Sequence, residues 1–126
     1  MNPLRHFIVI GALCGLFAVA LGAFAAHALK GLLSTGQLEV FRTGVEYQGI
    51  HALALLIVGL LGRDGVAASL SLAGWAFAVG ILLFSGSLYL LALTDIRWLG
   101  AITPLGGSAF LFGWAALAWH AYRRAP

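Results

Sequence analysis

Charge is what this sequence most lacks: seven Lys and Arg and four Asp and Glu among 126 residues, 9% of the chain. A soluble surface normally carries a quarter or more charged residues, so a water-exposed globular fold is excluded. Cysteine is almost absent too. The single Cys14 lies inside an apolar run, so no intrachain disulfide and no cysteine-based metal cluster can form, and packing is the role left to it. Also missing is any serine-histidine-acid arrangement or phosphate-binding glycine loop. The glycines fall at helix-packing intervals, and Ser85-Gly86-Ser87 lies within a long apolar stretch, not on a strand-turn-helix elbow.

What is present is hydrocarbon and glycine. Hydrophobic residues make up 62% of the chain and the mean hydropathy is +1.01. Three or four long apolar runs fill the length, which predicts an integral membrane protein with one domain over residues 1–126. Net charge is +3. The basic residues stand one or two at a time at the ends of the runs, as interfacial anchors do, so the basic balance does not predict a nucleic-acid partner.

In chain order, Phe7 to Phe24 carries no charge and reads as a first spanning helix. It is too long for the apolar core of a signal peptide, despite small-x-small patterns at Ala23-Phe24-Ala25 and Ala26-His27-Ala28. Gly11, Gly15, Ala18, Gly22 and Ala26 form a small-residue seam expected to face another helix. Ser34 to Gln37 has capping-box spacing, so helix 2 is expected to start near Thr35, run along the interface past Arg42, and end by Leu61. Gly62-Arg63-Asp64-Gly65 reads as a tight turn. Helix 3 is expected over Ala67 to Leu93. Helix 4 follows from Thr103-Pro104, an N-cap and a first-turn proline, to Tyr122. Gly106, Gly107 and Gly113 continue the packing theme. The reading is an all-α, four-transmembrane-helix up-down bundle with an interfacial start to helix 2. Basic residues favour cytoplasmic termini by four to three, Arg5, Arg63, Arg123 and Arg124 against Lys30, Arg42 and Arg97. The expected location is the cell (inner) membrane.

The chemistry-bearing residues gather in Thr43-Gly44-Val45-Glu46-Tyr47-Gln48-Gly49-Ile50-His51. The apolar run after Gln48 is too short to cross a bilayer alone, so these residues enter the membrane with it. Thr43, Tyr47 and His51 follow one helical face with Gln48 beside them, while Glu46 falls on the opposite flank. A second cluster, Ser85, Ser87 and Tyr89, is expected at matching depth in helix 3, with His51 hydrogen-bonded to Ser85 or Tyr89. His27, Thr43, Glu46, Tyr47, Gln48, His51, Ser85, Ser87, Tyr89 and Thr103 form the candidate intramembrane polar site. Glu46 could instead be structural, paired with Arg42 or accepting from a neighbouring helix end. His27 and His51 stand at depths roughly 9 Å apart at 1.5 Å per residue, a poor match for haem. No metal site and no cofactor is expected. His6 and His120 read as surface residues near the other interface.

Four stretches carry a family resemblance: Gly22-Ala23-Phe24-Ala25-Ala26-His27-Ala28-Leu29, Thr43-Gly44-Val45-Glu46-Tyr47-Gln48 with His51-Ala52-Leu53, Phe84-Ser85-Gly86-Ser87-Leu88-Tyr89, and Thr103-Pro104-Leu105-Gly106-Gly107. With them the chain resembles the small four-helix membrane proteins catalogued as domain of unknown function 423, whose eukaryotic relatives are called transmembrane protein 256-like. Ala25 departs from the usual glycine, which would loosen packing near His27. The resemblance implies an uncleaved first helix and supplies no activity. Three functions remain open. The first is a structural or assembly component without enzymatic activity, contacting the bilayer and itself or other membrane proteins. The second is a small oligomeric transporter or channel using Glu46 and His51 as proton- or ion-coupling groups. The third is a membrane enzyme or lipid-binding protein.

Overall fold

The structure, a computed structural model, describes residues 2–124; Met1, Ala125 and Pro126 lie outside them. Helix α1 covers Arg5–His27 and α2 covers Thr35–Leu61. The expected capping box is formed: Ser34 Oγ accepts from the Gln37 N–H, and the Gln37 side chain accepts from the Ser34 N–H. At 27 residues and ~1.5 Å each, α2 is about 40 Å long, more than a hydrocarbon core of roughly 30 Å requires, so it tilts or its first turn lies at the interface. A 3-10 turn over Gly62–Asp64 and Gly65 at φ 128 reverse the chain, a backbone angle that glycine alone adopts readily.

The third span runs from Ala68 to Thr94, close to the expected bounds, but it is not one regular helix. Helix α3 (Ala68–Gly80) and helix α4 (Gly86–Thr94) are joined by a π-helical turn over Ile81–Ser85. Asp95 closes α4 in the left-handed conformation, which a short polar side chain tolerates, and a 3-10 turn over Arg97–Ala101 leads to α5, Thr103–Arg124. Four helices are long and apolar enough to cross a membrane.

α2 and the third span form the inner pair, with α1 laid along α2 and α5 laid along α3 and the π turn. One core cluster centres on Phe7, Leu55, Val58, Phe77 and Phe110, at the end holding the Gly62–Gly65 turn. A second, at the opposite end, gathers Ala25, Leu29, Leu38, Phe41 and Ala92. Ala25 is fully buried there, so its methyl group fills the packing instead of loosening it. Large side chains such as Val19, Leu82 and Leu111 stay mostly exposed, as the lipid-facing surface of a bundle requires.

The glycine seam is real but placed differently from its spacing. A Cβ on Gly11 would lie 2.8 Å from the Ala52 carbonyl oxygen, so α1 and α2 approach backbone to backbone at that point. At Gly22 a Cβ would meet Val45 at an ordinary 3.4 Å, and at Gly15 it would meet nothing within 4 Å. The expected contact at Gly15 is therefore absent: α1 and α2 stay close, with the adjacent Cys14 carbonyl bonded to Gln48, but Gly15 itself does not point at a neighbouring helix. In α5, Gly106 abuts the backbone of Phe84, where a Cβ would lie 2.7 Å from Phe84 Cα. A Cβ on Gly113 would lie 2.7 Å from the Phe77 ring, whereas one on Gly107 would meet Phe84 only at 3.9 Å.

Candidate functional site

The middle of α2 carries the polar residues, and its neighbours decide which partner each one meets. Gln48, 5% exposed, joins three spans: its Nε2 donates to the Cys14 carbonyl of α1 at 2.8 Å, and its Oε1 accepts from the Tyr89 hydroxyl of α4 at 2.7 Å. Ser85, at the end of the π turn and wholly buried, donates to the Gly44 carbonyl at 2.7 Å. Gly44 has no side chain for a reason, since a Cβ there would lie 2.8 Å from the Tyr89 ring. Ser87 donates to the Phe84 carbonyl at 2.9 Å, and its oxygen stands 2.6 Å from that of Thr103 at the start of α5. With the single Ser87 proton on Phe84, Thr103 is the donor of that pair.

His51 is 3% exposed and its partners fix its proton. Nδ1 lies 2.7 Å from the Tyr47 carbonyl, which can only accept, and Nε2 lies 3.0 Å from the Trp114 indole nitrogen, which can only donate. The imidazole is therefore the neutral Nδ1–H tautomer with both nitrogens engaged. Its ring stacks on Phe110 at 3.5 Å between centroids and 7° between planes. The expected bond from His51 to Ser85 or Tyr89 is not made. Those two hydroxyls meet Gly44 and Gln48 instead, because α4 packs on the side of α2 that presents Gly44 and Gln48, while His51 faces α5.

Between α2 and α5 a cavity of about 490 Å³ opens on the side of the bundle. Tyr47, Phe84, Phe110 and Trp114 give it aromatic walls, with Pro104 and Ser108 at its edge and His51 also lining it. Tyr47 is 39% exposed and leans on Phe84 at 4.6 Å between rings. Apolar walls with a few polar groups suit an acyl chain or an apolar side chain of another helix better than a solvated ion.

The other candidate residues lie apart. Glu46 is exposed on the back of α2, on the same face as Ile50, Leu53 and Ile57, and no ion pair or hydrogen bond to its carboxylate is present among the described residues. The expected pairing with Arg42 is not formed. Five residues at ~100° place Glu46 about 140° around the helix from His51, so the two cannot share a site within one chain. His27 is exposed at the end of α1, and Thr43 donates to the Glu39 carbonyl of its own helix at 2.9 Å. No group of three or more His, Cys, Asp and Glu side chains placed to hold a metal occurs among the described residues.

Three features were missed in the sequence. Trp114 was passed over, although an indole N–H well inside a span needs an acceptor and so announces one. His120 is buried, not on the surface, with Nδ1 3.3 Å from Ser69 Oγ. His6 is also partly buried, stacked on Trp75 and tilted against Phe7, and its Nε2 is enclosed without a hydrogen-bond partner among the described residues.

With this geometry in place, the comparisons with known proteins agree with one another. The family model described as protein of unknown function DUF423 matches residues 21–107. The UPF0382 membrane protein YwdK of Bacillus subtilis is 50% identical over 113 residues, 88% of this chain and 91% of the relative. A UPF0382 membrane protein of Haemophilus influenzae is 47% identical over 120 residues, covering 94% and 95%. Another, from Staphylococcus haemolyticus, is 46% identical over 114 residues, covering 90% and 93%. No solved structure matches the chain. Identity at this level over nearly the whole length of both partners, with four spans built on the matched motifs, places this chain in the DUF423 family, together with these UPF0382 membrane proteins.

Proposed function

We propose that this membrane protein is a structural or assembly component whose working parts are its outer surfaces. The observation carrying this reading is where the interior polar groups spend their hydrogen bonds. Gln48, His51, Ser85, Tyr89, Ser87 and Thr103 are bonded to neighbouring spans or to local backbone, so they act as ties between helices. A group already satisfied on both sides is poorly placed to carry a proton or to attack a substrate. The lateral aromatic cavity fits the same reading, offering apolar contact to a chain or helix approaching through the lipid.

The transporter alternative needs Glu46 and His51 to act together, and their placement on different sides of α2 leaves that coupling only to an assembly of several copies. Proton flux into vesicles reconstituted with the purified chain tests the two readings. No flux above that of empty vesicles is expected. A flux abolished by His51→Ala or Glu46→Gln would overturn the assembly reading in favour of transport. A photo-cross-linking residue at Leu111, on the cavity wall, should give a discrete protein adduct in native membranes, whereas one at Leu82 on the open surface should not. Equal lipid-only labelling at both positions would count against a partner.

A further inference from the structure

The end of the bundle that holds both described termini carries a second cavity, separate from the one beside His51. Its volume is about 450 Å³, and its wall joins the start of α3 to the last turns of α5. Ser69, Trp119, His120, Arg123 and Arg124 line it together with Ala68, and no lining residue is acidic. Arg123 and Arg124 are exposed, and the Arg123 guanidinium lies over the Trp119 ring, 5.8 Å from its centre. His120 is 8% exposed and spends Nδ1 on Ser69, while its other ring nitrogen makes no hydrogen bond among the described residues. No side chain caps α3, whose N-cap is Ala67; the Leu70 and Ser71 N–H groups reach the Ala67 carbonyl, which leaves the backbone N–H groups of the lining residues Ala68 and Ser69 without a helical acceptor.

From this convergence we infer a binding site for a phosphate group. Two guanidinium groups, the one donor left over by the Ser69–His120 pair and the N-terminus of a 13-residue helix all offer N–H or O–H groups or positive charge. A phosphate oxyanion supplies the acceptors they lack, and Arg presents paired N–H groups that match its oxygens. The half-exposed Trp119 and exposed Leu72 place this site at the membrane-water boundary, where tryptophan side chains concentrate. A phosphate there can arrive as the headgroup of an anionic phospholipid or as a free phosphate. The inference is independent of the role proposed for the chain.

Native mass spectrometry of the detergent-purified full chain tests it, using phosphatidylglycerol, phosphatidylcholine and inorganic phosphate as separate probes. Saturable retention of phosphatidylglycerol in preference to phosphatidylcholine is expected. It should fall roughly tenfold or more in the Arg123→Gln, Arg124→Gln variant, in line with the strength of hydrogen bonds to charged groups. Ser69→Ala, which leaves the cations in place, should give a smaller loss in the same direction, and Arg97→Gln at the opposite interface should give none. Saturable binding of inorganic phosphate with the same sensitivity would support the site and identify free phosphate as a source. The inference is overturned if neither probe binds saturably, if phosphatidylcholine binds equally well, or if Arg97→Gln weakens binding as much as the Arg123 and Arg124 changes do.

Discussion

Trp114 donates its indole N–H to Nε2 of His51 across 3.0 Å, so a residue of the fourth span sets the protonation of a residue in the second. The Tyr47 carbonyl, 2.7 Å from Nδ1, holds the proton on the other nitrogen. Nitrogen-15 NMR of labelled protein in detergent should therefore show an unprotonated Nε2 and a protonated Nδ1 at neutral pH. Trp114→Phe keeps the aromatic contacts to Phe77 and His51 while removing the donor. A double-mutant cycle with His51→Ala should return about 0.6 kcal/mol of coupling and no more than ~1.7, the usual range between membrane helices. Additive losses would remove the bond.

The junction of Gln48 with Tyr89 and Cys14 predicts an asymmetry. Tyr89→Phe leaves one acceptor of Gln48 unpaired, whereas Gln48→Leu breaks two links and strands the Tyr89 hydroxyl. Thermal unfolding in detergent should show the Gln48 variant to be the less stable by roughly 1 kcal/mol, the cost of an unmade buried hydrogen bond. Equal losses would mean that the Cys14 carbonyl contributes nothing.

Much of this arrangement was legible in the sequence, and the reason for the remainder is rotational. The Ser34–Gln37 capping box, the Gly62–Gly65 reversal and the start of α5 at Thr103 are local signals, and each is present. Thr103 is not the expected N-cap, however: its hydroxyl meets Ser87, and the Leu105 and Gly106 N–H groups reach the Ile102 carbonyl. A helical wheel also ranks residues around one helix, so the polar stripe of α2 and its matching cluster near Ser85 could be read. It cannot give the rotation of the neighbouring helix, and the pairing of His51 with Ser85 or Tyr89 failed on that point. The π turn over Ile81–Ser85 was equally invisible. It packs against Gly106, which lies twenty-one residues beyond Ser85 and is pressed on Phe84, a tertiary contact that no local pattern announces.

Topology offers a direct check. Ser34 and Asp95 line one cavity at one end of the bundle, while Asn2 donates to the Gly59 carbonyl at the other, near Gly65. Single cysteines at positions 34 and 95, in a Cys14→Ala background, should be modified by an impermeant reagent from one side of the membrane. A cysteine at 65 should react only from the opposite side. Labelling of 65 together with 34 and 95 would contradict four spans.

The two glycines Gly11 and Gly15 give the sharpest contrast, because sequence spacing treats them alike and the structure does not. An alanine at 11 would drive its methyl into the Ala52 carbonyl at 2.8 Å and the Leu55 Cβ at 3.0 Å. The obstacle is largely backbone, so relief requires α1 to move away from α2, and overpacking of this kind costs about 1–3 kcal/mol. At Gly15 nothing lies within 4 Å, so alanine meets no resistance. Its better helix propensity should leave stability unchanged or raise it by up to about 1 kcal/mol. Gly11→Ala should accordingly lower the melting temperature in detergent, with Gly15→Ala equal to or above the parent chain. A loss at Gly15 matching that at Gly11 would require something to cover that part of α1, such as a second copy, and cross-linking from position 15 would then identify it.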